Sequence, residues 1–144
     1  MKNVLITGGC GFIGSNFLKY LISLKCYFPI ILDKLTYAGS KENINQISEE
    51  NFELVEGDIC NEQLLLNLFK KYKFDGVFHF AAESFVSPSW DHPHRYMSVN
   101  YNGTLNILEA MRKINSKAKI LIPGSGEEYG LSLIHISEPT RRYA

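Results

Sequence analysis

Cysteine is scarce in this sequence, and what there is does not pair. The three cysteines, Cys10, Cys26 and Cys60, are odd in number and scattered without a CxxC spacing. Neither a disulfide framework nor a zinc site is expected, and a reducing cytoplasm is the natural compartment. An excess of either charge is also lacking, with Lys+Arg and Asp+Glu at 15 each. With no net field and no basic run, nothing marks a nucleic-acid partner or an anionic membrane surface. Long apolar runs are missing: the one that opens the chain, Val4-Leu5-Ile6, ends at Gly8. That is too short for a signal-peptide core or a membrane span. What remains is 45% hydrophobic and 21% charged in 144 residues, a globular balance long enough for one domain and not for two. A small-molecule ligand is the expectation.

Short apolar runs alternate with longer stretches of helical period. Asn3–Thr7, Pro29–Asp33, Phe52–Glu56, Gly76–Phe80 and Lys119–Pro123 read as strands, bounded by Gly, Pro or Asp. Phe12–Lys25 carries Phe12, Ile13, Phe17, Leu18, Leu21 and Ile22 as a helical stripe. Asn61–Lys71 opens on an Asn cap and gathers Leu64, Leu65, Leu68 and Phe69, and Val99–Arg112 repeats the pattern. Strand-helix alternation with strands apolar on both faces predicts an α/β fold, a doubly wound parallel sheet of order 3-2-1-4-5. Its ligand crevice should lie beyond strands 1 and 4, where the order reverses.

Between the first strand and first helix stands Thr7-Gly8-Gly9-Cys10-Gly11-Phe12-Ile13-Gly14. Glycines at 8, 11 and 14 suit a sharp turn, close approach to a pyrophosphate and helix-on-strand packing. The helix beginning at Phe12 and Ile13 would offer free N–H groups and a positive dipole end to phosphates. Cys10 reads as a small side chain in this loop. Asp33, at the end of the second strand, would accept hydrogen bonds from the adenosine ribose hydroxyls and repel a 2′-phosphate. NAD is therefore favoured, while Lys34 next door keeps NADP open. Asp58, in Gly57-Asp58-Ile59 after the third strand, is either part of a simple turn or the residue facing the adenine amino group.

Thr7–Gly14, Leu32–Gly39, Gly57-Asp58-Ile59, His79–Ser84 and Asn100-x-x-Gly103-Thr104 recur together in one order and spacing. Over Met1–Gly130 this set resembles the extended short-chain dehydrogenases acting on nucleotide sugars, the NAD-dependent epimerases and dehydratases of Rossmann fold. The resemblance implies that Ile59 joins Asp58 at the adenine and that Ala81, Ala82 and Ser84 line the ribose and nicotinamide side. Asn100 matches a residue that holds the active-site backbone together, although a polar residue at a helix bend would explain it equally. Pro123–Gly130 resembles the family's Ser/Thr-x-Glu-x-Tyr-Gly loop. Ser125 then matches the hydroxyl bonding the sugar O4, and Glu127 the base at C5 in dehydratases, with Glu128 pointing the other way.

Two substrate signatures disagree. Lys34–Ile44 looks like dTDP-glucose 4,6-dehydratases, yet Gly126 stands where those usually carry Asp. Phe85-Val86-Ser87-Pro88-Ser89 stands where they carry His-Val-Asp-Arg-Ser. Ser84–Trp90 and Gly124–Gly130 are more similar to GDP-mannose 4,6-dehydratases and GDP-6-deoxy-4-ketohexose reductases. The implied activity is an NAD-dependent nucleotide-sugar 4,6-dehydratase with its sugar undecided, working as a homodimer when full-length. An epimerase or 4-keto reductase is the rival, favoured by Gly126. A non-catalytic NAD-binding module is the reading of another class, and Ser125 with Glu127 argues against it.

The family's catalytic Tyr-x-x-x-Lys should follow the Glu loop by some tens of residues. Here the only such spacing is Tyr37–Lys41, at the adenine end and a chance match. The expected division is thus residues 1–130 as an incomplete NAD-binding domain and residues 131–144 as a non-native tail. Leu131–Arg141 is similar to a translated sequencing adapter, so His135 is not counted as a ligand. His92-Pro93-His94 reads as a helix-entry loop in preference to a metal site, having no third ligand in view.

Overall fold

The structure is a computed structural model that describes residues 1–125. Five parallel strands, β1 (Lys2–Thr7), β2 (Tyr27–Asp33), β3 (Glu53–Glu56), β4 (Gly76–His79) and β5 (Lys119–Leu121), lie in the order β3-β2-β1-β4-β5. This is the order expected from the alternation. The sheet is covered on both faces because its central strands are apolar on both. β1 sends Val4 and Ile6 to one side and Leu5 to the other, while β2 sends Ile31 one way and Ile30 and Leu32 the other. Leu18 and Leu21 of α1 (Phe12–Ser23) pack on the first side. Leu65, Leu68 and Phe69 of α2 (Glu62–Tyr72) cover the second with Ile107 and Ala110 of α5 (Thr104–Lys113). Each of the Val, Leu, Ile and Phe side chains among these contributes about 1.5–3 kcal/mol by leaving water.

Boundaries moved for local reasons. β2 begins two residues before Pro29, which is tolerated because β3 pairs with β2 only from Ile30 onward. β4 stops at His79 and β5 at Leu121, short of Phe80 and Pro123. The helix expected over Val99–Arg112 is instead a π-helical stretch, Met97–Gly103, running into α5. Two short helices precede it, α3 (Ser87–Asp91) and α4 (Pro93–Tyr96). Pro93 sits in the first turn of α4, where its missing N–H costs nothing, and His92 and His94 are exposed there. The helix-entry reading of that triplet agrees with this placement. Among the described residues no helix is long and apolar enough to cross a membrane.

The ends of α1 and α2 differ in a way that matters for the site. Asn61 caps α2 by accepting the Leu64 N–H at 3.0 Å, Lys70 and Lys71 occupy its last turn, and Lys73 closes it in the left-handed region. α1 starts at extended Gly11 with no side-chain cap and no acidic residue in its first turn. Its first turn thus supplies no side chain of its own to offset the dipole.

Candidate functional site

The carboxyl ends of β1, β2 and β4 meet the uncapped start of α1 around a crevice with two lobes. One lobe, about 240 Å³, is lined at its far end by Asp33, Lys34, Asp58 and Ile59. The other, about 700 Å³, reaches Phe12, Ile13, Ser84, Asn100 and Ser125. Gly8, Gly11, Ala81 and Ala82 line both, so the lobes are continuous over the glycine loop. Two of the glycines are required by space. Gly8 has φ +70°, and a Cβ there would sit 2.7 Å from the Ala81 nitrogen. A Cβ on Gly14 would lie 2.2 Å from the Gly8 carbonyl oxygen. The loop can curl under α1 only without those carbons.

Asp33 does more than the sequence suggested. Its carboxylate is 7% exposed and accepts the Cys10 N–H at Oδ2 and the Leu35 N–H at Oδ1, both at 2.8 Å. The acid at the end of β2 therefore fixes the glycine loop and is itself part of the crevice lining. The Cys10 carbonyl is held by Ser40 N–H and the Asn43 side chain. Burial, and then the nearby Asp33 charge, push the Cys10 thiol up to about 12. That cysteine is an inert small residue, in keeping with the expectation for it.

At the same end Lys34 Nζ lies 2.6 Å from Asp58 Oδ2, and Asp58 Oδ1 accepts the Cys60 N–H at 2.9 Å. Burial works against the Asp58 charge, but the Lys34 and Cys60 bonds outweigh it and hold the carboxyl below its ordinary range. The hydrogen bond to Asp58 raises the Lys34 ammonium in turn. Ile59 is buried, its carbonyl accepting from Asn106 and its side chain pressed on Gly103 so closely that no Cβ fits there.

The loop after β4 is positioned by groups that sequence reasoning used only as a motif. Buried His79 bridges Thr7 at the end of β1 and Thr104 at the start of α5. The Thr104 hydroxyl donates to the Asn100 carbonyl at 2.7 Å, so it accepts from His79 Nε2–H at 2.9 Å. Nδ1 then carries no proton and accepts from the Thr7 hydroxyl at 2.6 Å, and Thr7 Oγ1 receives the Ala81 N–H at 3.3 Å. Only a neutral, Nε2-protonated ring satisfies this chain, and burial lowers the His79 pKa to about 4. A polar residue closing an apolar strand was the one available signal.

Asn100 sits at a helix irregularity and also bonds a neighbouring backbone segment. It lies in the π-helical stretch, where wide turns commonly mark function. Its amide grips the Glu83 backbone at both ends, accepting from the N–H at 2.8 Å and donating to the carbonyl at 3.0 Å. The Glu83 side chain is held by Arg95 at 2.8 and 2.5 Å and by the Tyr37 hydroxyl at 3.2 Å. This joins the loop after β2 to the loop after β4, and nothing in the sequence pattern announced it.

Ser125 is thus brought to the same lobe as Phe12, Ile13, Ala82 and Ser84. Glu127, Gly126, Glu128 and the tail 131–144 lie outside the described residues. Among the described residues no group of three or more His, Cys, Asp or Glu is placed to hold a metal.

A family profile described as GDP-mannose 4,6 dehydratase matches residues 5–144. The chain belongs to that family. CDP-paratose 2-epimerase of Salmonella typhi is 38% identical over 142 residues, covering 97% of this chain and 42% of that protein. dTDP-glucose 4,6-dehydratase of Salmonella typhimurium is 40% identical over 111 residues, covering 76% of this chain and 31% of that protein. The crystal structure of dTDP-glucose 4,6-dehydratase from Bacillus anthracis in complex with NAD superposes with a TM-score of 0.72 at 36% identity. That match covers 83% of this chain and 36% of the other. The chain spans less than half the length of these dehydratase and epimerase relatives.

Proposed function

We propose that this chain is the NAD-binding part of an NAD-dependent nucleotide-sugar 4,6-dehydratase. The observation that carries the reading is the continuous crevice from Asp33 and Asp58 to Ser125, with the uncapped α1 at its middle. The fit to a dinucleotide is steric as well as electrostatic: the glycine loop is held flat by Gly8 and Gly14, leaving the α1 amides facing the space where a pyrophosphate would lie. Gly11, Phe12 and Ile13 would hold the phosphates, Asp33 the adenosine ribose, and Asp58 and Ile59 the adenine. Ala81, Ala82 and Ser84 would border the ribose and nicotinamide. When bound, NAD would take hydride from C4 of the sugar and return it to C6. Ser125 would bond the sugar O4, and Glu127 would remove the C5 proton as the C6 hydroxyl leaves. Asn100 would keep the loop bearing Ser84 in place through the Glu83 backbone.

Glu127→Gln in the full-length enzyme tests the chemistry. Its amide keeps the shape but cannot accept the C5 proton, so elimination should slow by ~10²–10⁴-fold while C4 oxidation continues. Rapid-quench assays with NDP-glucose and GDP-mannose should show 4-ketohexose accumulating without 6-deoxy product, and solvent deuterium should no longer enter C5. An unimpaired 6-deoxy yield clears Glu127 of the role. A wild-type enzyme that makes no 6-deoxy sugar supports the epimerase or reductase reading, which Gly126 and the similarity to CDP-paratose 2-epimerase favour. We further propose a cytoplasmic homodimer. Its support is the exposed apolar series Tyr101, Leu105 and Leu108 along the π-helical stretch and α5, together with cysteines that stay unpaired.

A further inference from the structure

We infer that Asp58 is a cofactor-specificity residue that acts through Lys34, keeping that lysine's charge from a 2′-phosphorylated dinucleotide. A cation directly after the ribose acid is the group that would receive a 2′-phosphate. Here the Lys34 ammonium is 2.6 Å from Asp58 Oδ2. The carboxylate it meets is fixed from behind, because Asp58 Oδ1 accepts the Cys60 N–H at 2.9 Å and the Cys60 thiol is itself within 3.4 Å of the Ser98 carbonyl. Lys34 is the more exposed partner, with a side chain 59% exposed against 29% for Asp58. The charges lining this lobe are Asp33, Lys34, Asp58, Glu83 and Arg95. Lys34 pairs with Asp58 and Arg95 with Glu83, so Asp33 alone has no opposite charge in the lining. A 2′-phosphate would enter a negative field with no uncommitted cation. A 2′-hydroxyl brings no charge and is indifferent to it.

The inference rests on the proposed NAD binding and is independent of whether the sugar chemistry is dehydration or epimerisation. Its test is calorimetric titration of the full-length protein with NAD and with NADP. Asp58→Asn keeps the side-chain shape and an oxygen for the Cys60 N–H, yet releases Lys34. The ratio of NAD to NADP affinity should fall about tenfold at low salt, the size of one charge contact in water, and the change should shrink as salt rises. Adding Lys34→Ala to Asp58→Asn should reverse most of the change. An unaltered ratio in Asp58→Asn overturns the inference, as does a change that survives in the double variant. Should Asp58→Asn fail to fold, Lys34→Ala alone decides: the ratio should hold within about twofold, and a tenfold loss of NADP affinity would show that Lys34 already serves the phosphate. A wild-type protein that binds neither nucleotide refutes the NAD reading itself, a different outcome from each of these.

Discussion

The buried imidazole of His79 should make this domain sensitive to mild acid, in a pH window that lies mostly above that of the depressed carboxylates. In the folded chain His79 is held neutral by burial with a pKa of about 4, against an ordinary value of 6.5. Between those values the unfolded chain binds a proton that the folded chain refuses, so stability falls as pH falls. The stabilisation is complete above pH 6.5, declines through the window, and is gone by about pH 4. At 1.36 kcal/mol per pKa unit the loss amounts to about 3 kcal/mol. Asp58 and Glu53 are held below their ordinary values of 3.8 and 4.5, so their contribution is present above those values and is lost at lower pH. His79→Asn removes the titration while leaving an acceptor for the Thr7 hydroxyl. It should cost about 1–3 kcal/mol at pH 7.5 through the lost Thr104 bond and the smaller side chain. Urea unfolding of wild type and variant at intervals from pH 7.5 to 4.5 should show the two curves converging toward acid. Parallel curves would refute the reasoning, as would a His79 ring that titrates near 6.5 by NMR.

Two other outcomes are expected. Asp33→Ala in the full-length enzyme should weaken NAD binding by roughly 1–3 kcal/mol by calorimetry, since it removes a charged acceptor and frees the Cys10 and Leu35 amides that hold the glycine loop; unchanged affinity would remove Asp33 from the ribose role. Sequencing the locus from source DNA should show the reading frame departing at or just after the codon for Gly130, and codons continuing through Leu131–Arg141 would disprove a foreign tail.

The sequence by itself determined the parts that depend on periodicity and on local backbone geometry. Apolar runs with no polar face called for a sheet covered on both sides, and right-handed parallel crossovers reduced its strand order to a few doubly wound choices, of which 3-2-1-4-5 is one. The glycines at 8 and 14 were legible because a spacing that removes Cβ atoms has few other uses. Only the tertiary structure decided what depends on partners distant in the chain. Asp33 looked like a ligand residue and is also the anchor of Cys10, 23 residues away. Lys34 read as a lone cation beside the ribose acid, and its ion pair with Asp58, 24 positions on in the sequence, could not be seen before folding. The wide turn at Asn100 runs into the helix that buries Ile107, and the Asn100 amide meets the Glu83 backbone, 17 residues earlier. Periodicity records which face of an element is buried. It carries no information about which polar group will meet which, because that is set by the register of strands and helices brought together only on folding.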